Sequence, residues 1–226
     1  MEKLISGVAE FQNNEFVENI KLYKGLALGQ EPEVLFITCA DSRIDPNLIT
    51  QTKPGELFII RNAGNIVPPH SNVAGGVTAS VEYAVAVLSV KHIVVCGHTN
   101  CGAIKGAMYP ESIRSLPHVS NWISNCSAAL ARVKARHEHP DKPLNDEHLH
   151  ELTEENVLLQ LRHLETHPCV AAALATGSIE LHGWLYELAT GMVTCYDAAE
   201  RKFVPIADRY AQVIHKHDQK KTARHS

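Results

Sequence analysis

Three short apolar runs constrain this chain more than any other feature. VLFIT (34–38), ELFII (56–60) and HIVVCG (92–97) are strand-length and rich in β-branched and aromatic residues. They read as strands buried on both faces, as in a parallel sheet. Between the second and third, VAGGVTASVEYAVAVL (73–88) places Val77, Val81, Ala84, Val85 and Leu88 at helical spacing. The Gly75-Gly76 pair near its start permits close backbone approach. Residues 101–108 read as the opening of a helix and SNWISNCSAALARVKARH (120–137) as a further one. The polar loop HEHPDKPLNDEH follows, then a helix from about Glu147 to Thr166. SIELHGWLYEL (178–188) and MVTCYDA (192–198) alternate across Ala189-Thr190-Gly191, the pattern of an antiparallel hairpin. The expected fold is α/β, with a mainly parallel central β-sheet, helices on its faces, an N-terminal helical arm and a C-terminal antiparallel strand pair.

The arm is residues 1–30. Leu4, Ile5, Val8 and Phe11, then Phe16, Val17, Ile20 and Tyr23, fit two amphipathic helices broken around Asn13-Asn14. Such an arm packs on a partner subunit or on its own domain. Residues 31–206 are expected to form one α/β domain. Residues 207–226 form a C-terminal tail, expected to be flexible because HKHDQKKTARHS lacks apolar side chains. With 226 residues, 45% of them apolar, one domain with a sizeable core is expected. A net charge of −4 argues against a nucleic-acid partner. No apolar run approaches the ~20 residues of a membrane span, and the N-terminus has no apolar signal region. The six cysteines then point to a reducing cytoplasm rather than to disulfides.

In open parallel sheets, ligands bind beyond the C-terminal strand ends. Two such ends carry metal-ligating side chains here. VLFIT runs into Cys39-Ala40-Asp41-Ser42-Arg43, and HIVVCG into His98-Thr99-Asn100-Cys101-Gly102. Cys101 stands where a loop turns into a helix, a position that favours a thiolate. Two thiolates and one imidazole from Cys39, His98 and Cys101 suit one Zn²⁺ per chain. A structural zinc or a set of buried thiols competes with this reading. Structural sites close with four Cys/His from paired knuckles, and no such pair is available.

Asp41 is the local candidate for a fourth ligand. Arg43 competes for its oxygens, and a guanidinium there holds the carboxylate ionised and off the metal. Asp41 then accepts a hydrogen bond from zinc-bound water. If it swings onto zinc instead, the site closes. Asp41 and Arg43 are therefore a candidate catalytic dyad, with Asp41 a metal ligand only in a closed state.

CADSR (39–43), RNAGN (61–65), EYA (82–84), CGHTNCGA (96–103) and HGWLYE (182–187) resemble the β-class carbonic anhydrases, most of all the bacterial enzymes that accompany cyanate operons. The resemblance runs from about residue 1 to about 206. It implies reversible hydration of CO₂ to bicarbonate and a proton by a zinc-bound hydroxide. It also implies a substrate site of Gln30, Phe58, Ala63, Tyr83 and the Gly102 N–H. In the family the Gln, Phe and Tyr come from the neighbouring subunit, so a homodimer or a higher homo-oligomer, tetramer or octamer, is implied. A related zinc hydrolase acting on CS₂ or COS, or a catalytically silent scaffold of the same fold, are the alternatives. The location expected is cytoplasmic, with a carboxysomal address left open.

Two positions depart from the family pattern. Ala40 stands where Ser is usual. Phe36 stands where the bicarbonate-inhibited subtype has Trp, which favours the constitutively open subtype. Arg61 and Asn62 read as supports of the dyad or of a dimer interface. Cys96, Cys126, Cys169 and Cys195 read as small apolar fillers, and His182 as a structural histidine. His137, His139, His148, His150, His215 and His217 read as solvated.

Overall fold

A computed structural model describes residues 1–73, 75–137 and 143–225. Six strands form one sheet: β1 (Val34–Cys39), β2 (Leu57–Asn62), β3 (His92–His98), β4 (Glu180–Tyr186), β5 (Val193–Asp197) and β6 (Lys202–Pro205). Their spatial order is β2-β1-β3-β4-β5-β6. The first four run parallel, and β5 and β6 add antiparallel. The expected α/β architecture with its C-terminal hairpin is present, extended by a sixth strand.

Side chains alternate across the sheet, so each strand feeds two cores. Leu35 and Ile37 of β1 and Ile93 and Val95 of β3 point to one face and are fully buried. Helix α5 (Gly76–Glu82) and its π-turn extension Tyr83–Val87 cover them, with α9 (Leu149–Glu165) and α10 (Pro168–Ala175). Each such side chain contributes about 1.5–3 kcal/mol relative to exposure. Phe36, Val94 and Cys96 point to the other face, where Trp184 and Tyr186 pack on them. A third core lies beyond the strand ends. It joins α6 (Gly102–Met108), α7 (Pro117–Ile123) and α8 (Ser127–His137) to the far side of α9. Short α4 (Pro46–Thr50) follows β1, capped by the Asp45 carboxylate at 3.2 Å from the Leu48 N–H.

Helix α9 lies unusually close to β3 and β4. A Cβ on Gly97 would stand 2.8 Å from Val157 Cγ2, and one on Gly183 3.0 Å from Val157 Cγ1. Glycine at both positions lets α9 descend onto the sheet next to His98.

The N-terminal arm comprises α1 (Glu2–Glu10), a π turn at Phe11–Glu15, α2 (Phe16–Glu18) and α3 (Ile20–Leu26). Asn13-Asn14 does not break it, contrary to the sequence pattern. The interruption comes at Asn19, whose amide turns back to the Glu15 carbonyl at 3.0 Å and carboxylate at 2.8 Å. The helix expected over 120–137 is likewise split by a tight turn at Ser124–Cys126. There the side chains of Ser124, Asn125 and Ser127 all donate to carbonyls three residues back.

The C-terminal tail, expected to be flexible, is not without regular structure. After α11 (Ile206–Arg209), residues Ala211–His225 are helical as α12. His137 is not simply solvated either: its Nε2 lies 2.7 Å from Glu151. Residues 138–142 of the polar loop, including His139, lie outside the described residues.

Candidate metal centre

Strands β1 and β3 are adjacent and parallel, with Thr38 opposite Cys96. Their ends therefore deliver Cys39 and His98 side by side. Cys101 caps the N-terminus of α6 in an extended conformation, which returns its side chain to the same point. The two sulfurs are 3.9 Å apart, and the ligand atoms of Cys39, His98 and Cys101 lie within 4.8 Å of one another. Two thiolates on a tetrahedral zinc stand about 3.8 Å apart, given Zn–S bonds of ~2.3 Å. All three residues are buried.

The imidazole supplies the strongest test of fit. His98 Nδ1 lies 2.9 Å from the Thr99 carbonyl and donates to it. The lone pair is thereby fixed on Nε2, which is buried and has no hydrogen-bond partner. An acceptor nitrogen aimed at two sulfurs, away from solvent, is what a cation between them requires. The His98-Thr99 turn is itself held: the Thr99 hydroxyl donates to Glu187 at 2.9 Å and accepts from the Leu188 N–H at 3.1 Å.

Charge points the same way. The Cys39 thiol is pulled well down, first by its contact with Cys101, then by His98 and the Gly64 N–H at 3.4 Å. Cys101 is pushed up by that same contact with Cys39 and by burial. One charge across two sulfurs is what the protein alone supports, and a divalent cation would let both remain thiolates.

Asp41 and Arg43 form a closed pair. The Arg43 Nε donates to Oδ1 at 2.8 Å, its Nη2 to Oδ2 at 2.7 Å, and its backbone N–H to Oδ1 at 2.9 Å. Arg43 also reaches the Asn100 carbonyl at 3.2 Å, which ties the two strand-end loops together. These bonds hold the Asp41 carboxyl well below the usual carboxylate range. Its Oδ2 is 3.8 Å from His98 Nε2, beside the three ligands and held by arginine.

Other residues hold this geometry from behind. Arg61 reaches from β2 to donate to the carbonyls of Cys39 at 3.1 Å and Asp41 at 2.7 Å. Asn62 closes the following loop on both polar groups of Ile66. Two residues that the sequence pattern passed over matter here. Asn156 of α9 donates to the Gly64 carbonyl at 3.1 Å, and Gln160 accepts from the Val67 N–H at 2.9 Å. They are buried and bond to each other at 2.8 Å. Their signal was polar residues four apart on an otherwise apolar helix face.

The expected substrate residues divide into two groups. Ala63 adjoins the centre through Gly64, its carbonyl held by Trp122 at 2.9 Å, and Gly102 opens α6 next to Cys101. Gln30, Phe58 and Tyr83 are not gathered there. Phe58 lies four residues before Asn62, the register partner of Cys39, hence roughly 13 Å back along the sheet. It packs on Tyr83 with ring centroids 6.0 Å apart. Gln30 borders a separate hollow with Leu26 and Gly55. Phe36 fills the opposite sheet face, edge-on to Trp184 at 5.9 Å.

A model of the carbonic anhydrase family matches residues 34–193. A carbonic anhydrase of Pseudomonas aeruginosa is 47% identical over 208 residues, covering 92% of this chain and 93% of that protein. Carbonic anhydrase 1 of Escherichia coli O157:H7 is 46% identical over 207 residues, with coverage of 92% and 93%. The solved β-carbonic anhydrase CcaA superposes with a TM-score of 0.86 at 40% identity, covering 91% of this chain and 98% of that one. A tetrameric β-carbonic anhydrase of Sordaria macrospora superposes with a TM-score of 0.73 at 29% identity, covering 86% and 95%.

Proposed function

The chain belongs to the carbonic anhydrase family, in its β class, and we propose how its own residues carry the zinc-dependent, reversible hydration of CO₂ to bicarbonate and a proton. Cys39, His98 and Cys101 would hold the ion. When bound, Zn²⁺ supplies the Lewis acidity that makes water a competent nucleophile near neutral pH. Asp41, with both oxygens committed to Arg43, acts as a hydrogen-bond acceptor. Its Oδ2 accepts from the attacking oxygen and so directs that oxygen's lone pair at carbon. Because Arg43 holds both of its oxygens, Asp41 would stay off an ion held by Cys39, His98 and Cys101.

CO₂ is apolar until attacked, and its oxygens then gather charge. The Gly102 N–H is a suitable donor to that charge, and the Gln30 amide is a second. Gln30, Phe58 and Tyr83 serve the site of a second copy, as membership of the β class implies, and the packing of Phe58 on Tyr83 back along the sheet from Asn62 supports it. The exposed apolar side of the arm supports this pairing: α1 buries none of its residues, and Leu4, Ile5 and Val8 are all more than half exposed. We therefore read the protein as a homodimer or a higher assembly of dimers. All six cysteines are free, which supports a reducing cytoplasm. Among the described residues, no helix is long and apolar enough to cross a membrane.

The observation that carries this reading is the partnerless His98 Nε2 facing two sulfurs beside an arginine-held carboxylate. Stopped-flow CO₂ hydration with metal analysis tests it. We expect one equivalent of zinc at Cys39, His98 and Cys101 in the wild type, and loss of that equivalent together with activity in Cys101→Ala. Zinc-loaded protein without hydration activity between pH 7 and 9, but releasing sulfide from CS₂, would transfer the assignment to that related hydrolase.

A further inference from the structure

A second group of metal-ligating side chains lies at the other end of the sheet. Glu180 and His182 are two residues apart on β4, so both project from one face. His92 opens β3 and is the register partner of Glu180, so it projects from that face too. His92 Nδ1 lies 3.1 Å from His182 Nε2. Glu180 Oε2 is 3.8 Å from each of those nitrogens. The three ligand atoms lie within 4.8 Å of one another, as do those of Cys39, His98 and Cys101. His92 is six residues before His98 on one strand, so the two groups are roughly 20 Å apart.

A hydrogen bond between the imidazoles explains only part of this arrangement. One N–H···N contact uses one proton and leaves the carboxylate at 3.8 Å, outside hydrogen-bond reach. Donors on a tetrahedral divalent ion with bonds of ~2.0–2.1 Å stand about 3.3 Å apart, inside the observed spread. The nearby Arg209 is ion-paired with Asp197. Glu180 contributes a negative charge and is mostly exposed, so water has access to the remaining coordination positions.

The three residues border a groove of about 520 Å³. Phe36, Val94 and Trp184 form its floor, and Ile206, Tyr210 and Ile214 of the C-terminal helices its wall. The groove is apolar, so these three side chains are its concentrated polar feature.

We propose that His92, Glu180 and His182 form a second divalent-metal site, for Zn²⁺ or a similar borderline transition ion, distinct from the catalytic centre. The donor set of two imidazoles and one carboxylate has no sulfur and suits zinc, nickel or copper rather than softer ions. An ion there ties the start of β3 to the start of β4. It does not depend on the reading of the catalytic centre, and its test separates the two.

The experiment equilibrates the full-length protein with excess Zn²⁺, removes loose metal by gel filtration and counts the zinc retained. The wild type is expected to retain two equivalents per chain. His182→Ala and Glu180→Gln should each retain one and hydrate CO₂ within twofold of wild type. Cys101→Ser should lose the catalytic equivalent yet keep the other. The Glu180 side chain is mostly exposed, so its variant decides the matter if His182→Ala folds poorly. A wild type that never exceeds one equivalent, or variants that keep two, overturns the proposal.

Discussion

The Asp41 carboxylate can only accept, and that one-sidedness defines its work. Both oxygens are engaged by Arg43, yet Oδ2 still faces His98 Nε2 at 3.8 Å. An amide at this position would present an N–H₂ either to the guanidinium or to the reacting oxygen, and both contacts are wrong. Asp41→Asn is therefore expected to keep its zinc and to slow hydration by about 10²-fold or more, as loss of a positioned acceptor does. Metal analysis beside a stopped-flow rate checks both halves, and a variant running at the wild-type rate would remove Asp41 from the mechanism. The ligands and this dyad were legible because strand ends and short spacings bring them together. Arg61 was legible as a support of the dyad or of a dimer interface, but the sequence did not say which. Its donation to the carbonyls of Cys39 and Asp41 depends on β2 lying beside β1, which sequence spacing does not state. Arg61→Ala should leave two partly enclosed carbonyls short of a donor, at about 1–3 kcal/mol in denaturant unfolding.

Helix α9 joins the sheet to the metal centre, and its fit rests on the absence of side chains beneath it. Val157 stands over Gly97 and Gly183, while Asn156 and Gln160 reach sideways to hold the loop bearing Gly64. A methyl group at 97 would press on Val157 Cγ2 at 2.8 Å, and a β-branched side chain on a helix has little freedom to rotate away. Gly97→Ala is expected to cost about 1–3 kcal/mol by overpacking. Combining it with Val157→Ala should cost less than the sum of the two single changes, read as a coupling energy from unfolding curves. Simple additivity would show that α9 does not rest on Gly97. At this scale, the long signals were readable and the short ones were not. Strands β1 to β5 announced themselves by apolar runs or alternation. α4, α10, α11 and β6 span only four to eight residues each, too few for a period to emerge. The interruptions at Asn19 and Ser124–Cys126 come from side chains binding carbonyls one turn back, a choice that depends on rotamers rather than on hydrophobic pattern.

At the scale of the whole molecule, the arm and the pocket residues pose one problem with one solution. An isolated helix as short as α1 is marginal in water, and this one buries nothing of its own chain. Phe11, Phe16 and Tyr23 pack on one another at 5.1–6.1 Å and stiffen the arm, which leaves Leu4, Ile5, Val8 and Val17 facing outward. Phe58 and Tyr83, meanwhile, pack together away from their own Cys39. Under the proposed twofold pairing, the arm is covered and each Phe58–Tyr83 pair meets the neighbour's metal centre, since an isologous contact exchanges the same surfaces in both directions. The apolar arm was visible in the sequence, but which side chains cross to a second copy depends on a symmetry that no single chain encodes locally. Complementation tests this directly. Cys101→Ala lacks the metal, and Tyr83→Ala lacks the pocket side chain, so each homodimer should hydrate CO₂ poorly. In a mixed dimer, the intact metal centre of the Tyr83→Ala chain faces the intact Tyr83 of the other chain. Unfolding and refolding the two variants together at equal amounts should restore about a quarter of the wild-type sites, because half the dimers are mixed and each has one complete site. If the mixture is no more active than the average of its parents, Tyr83 serves its own chain or none.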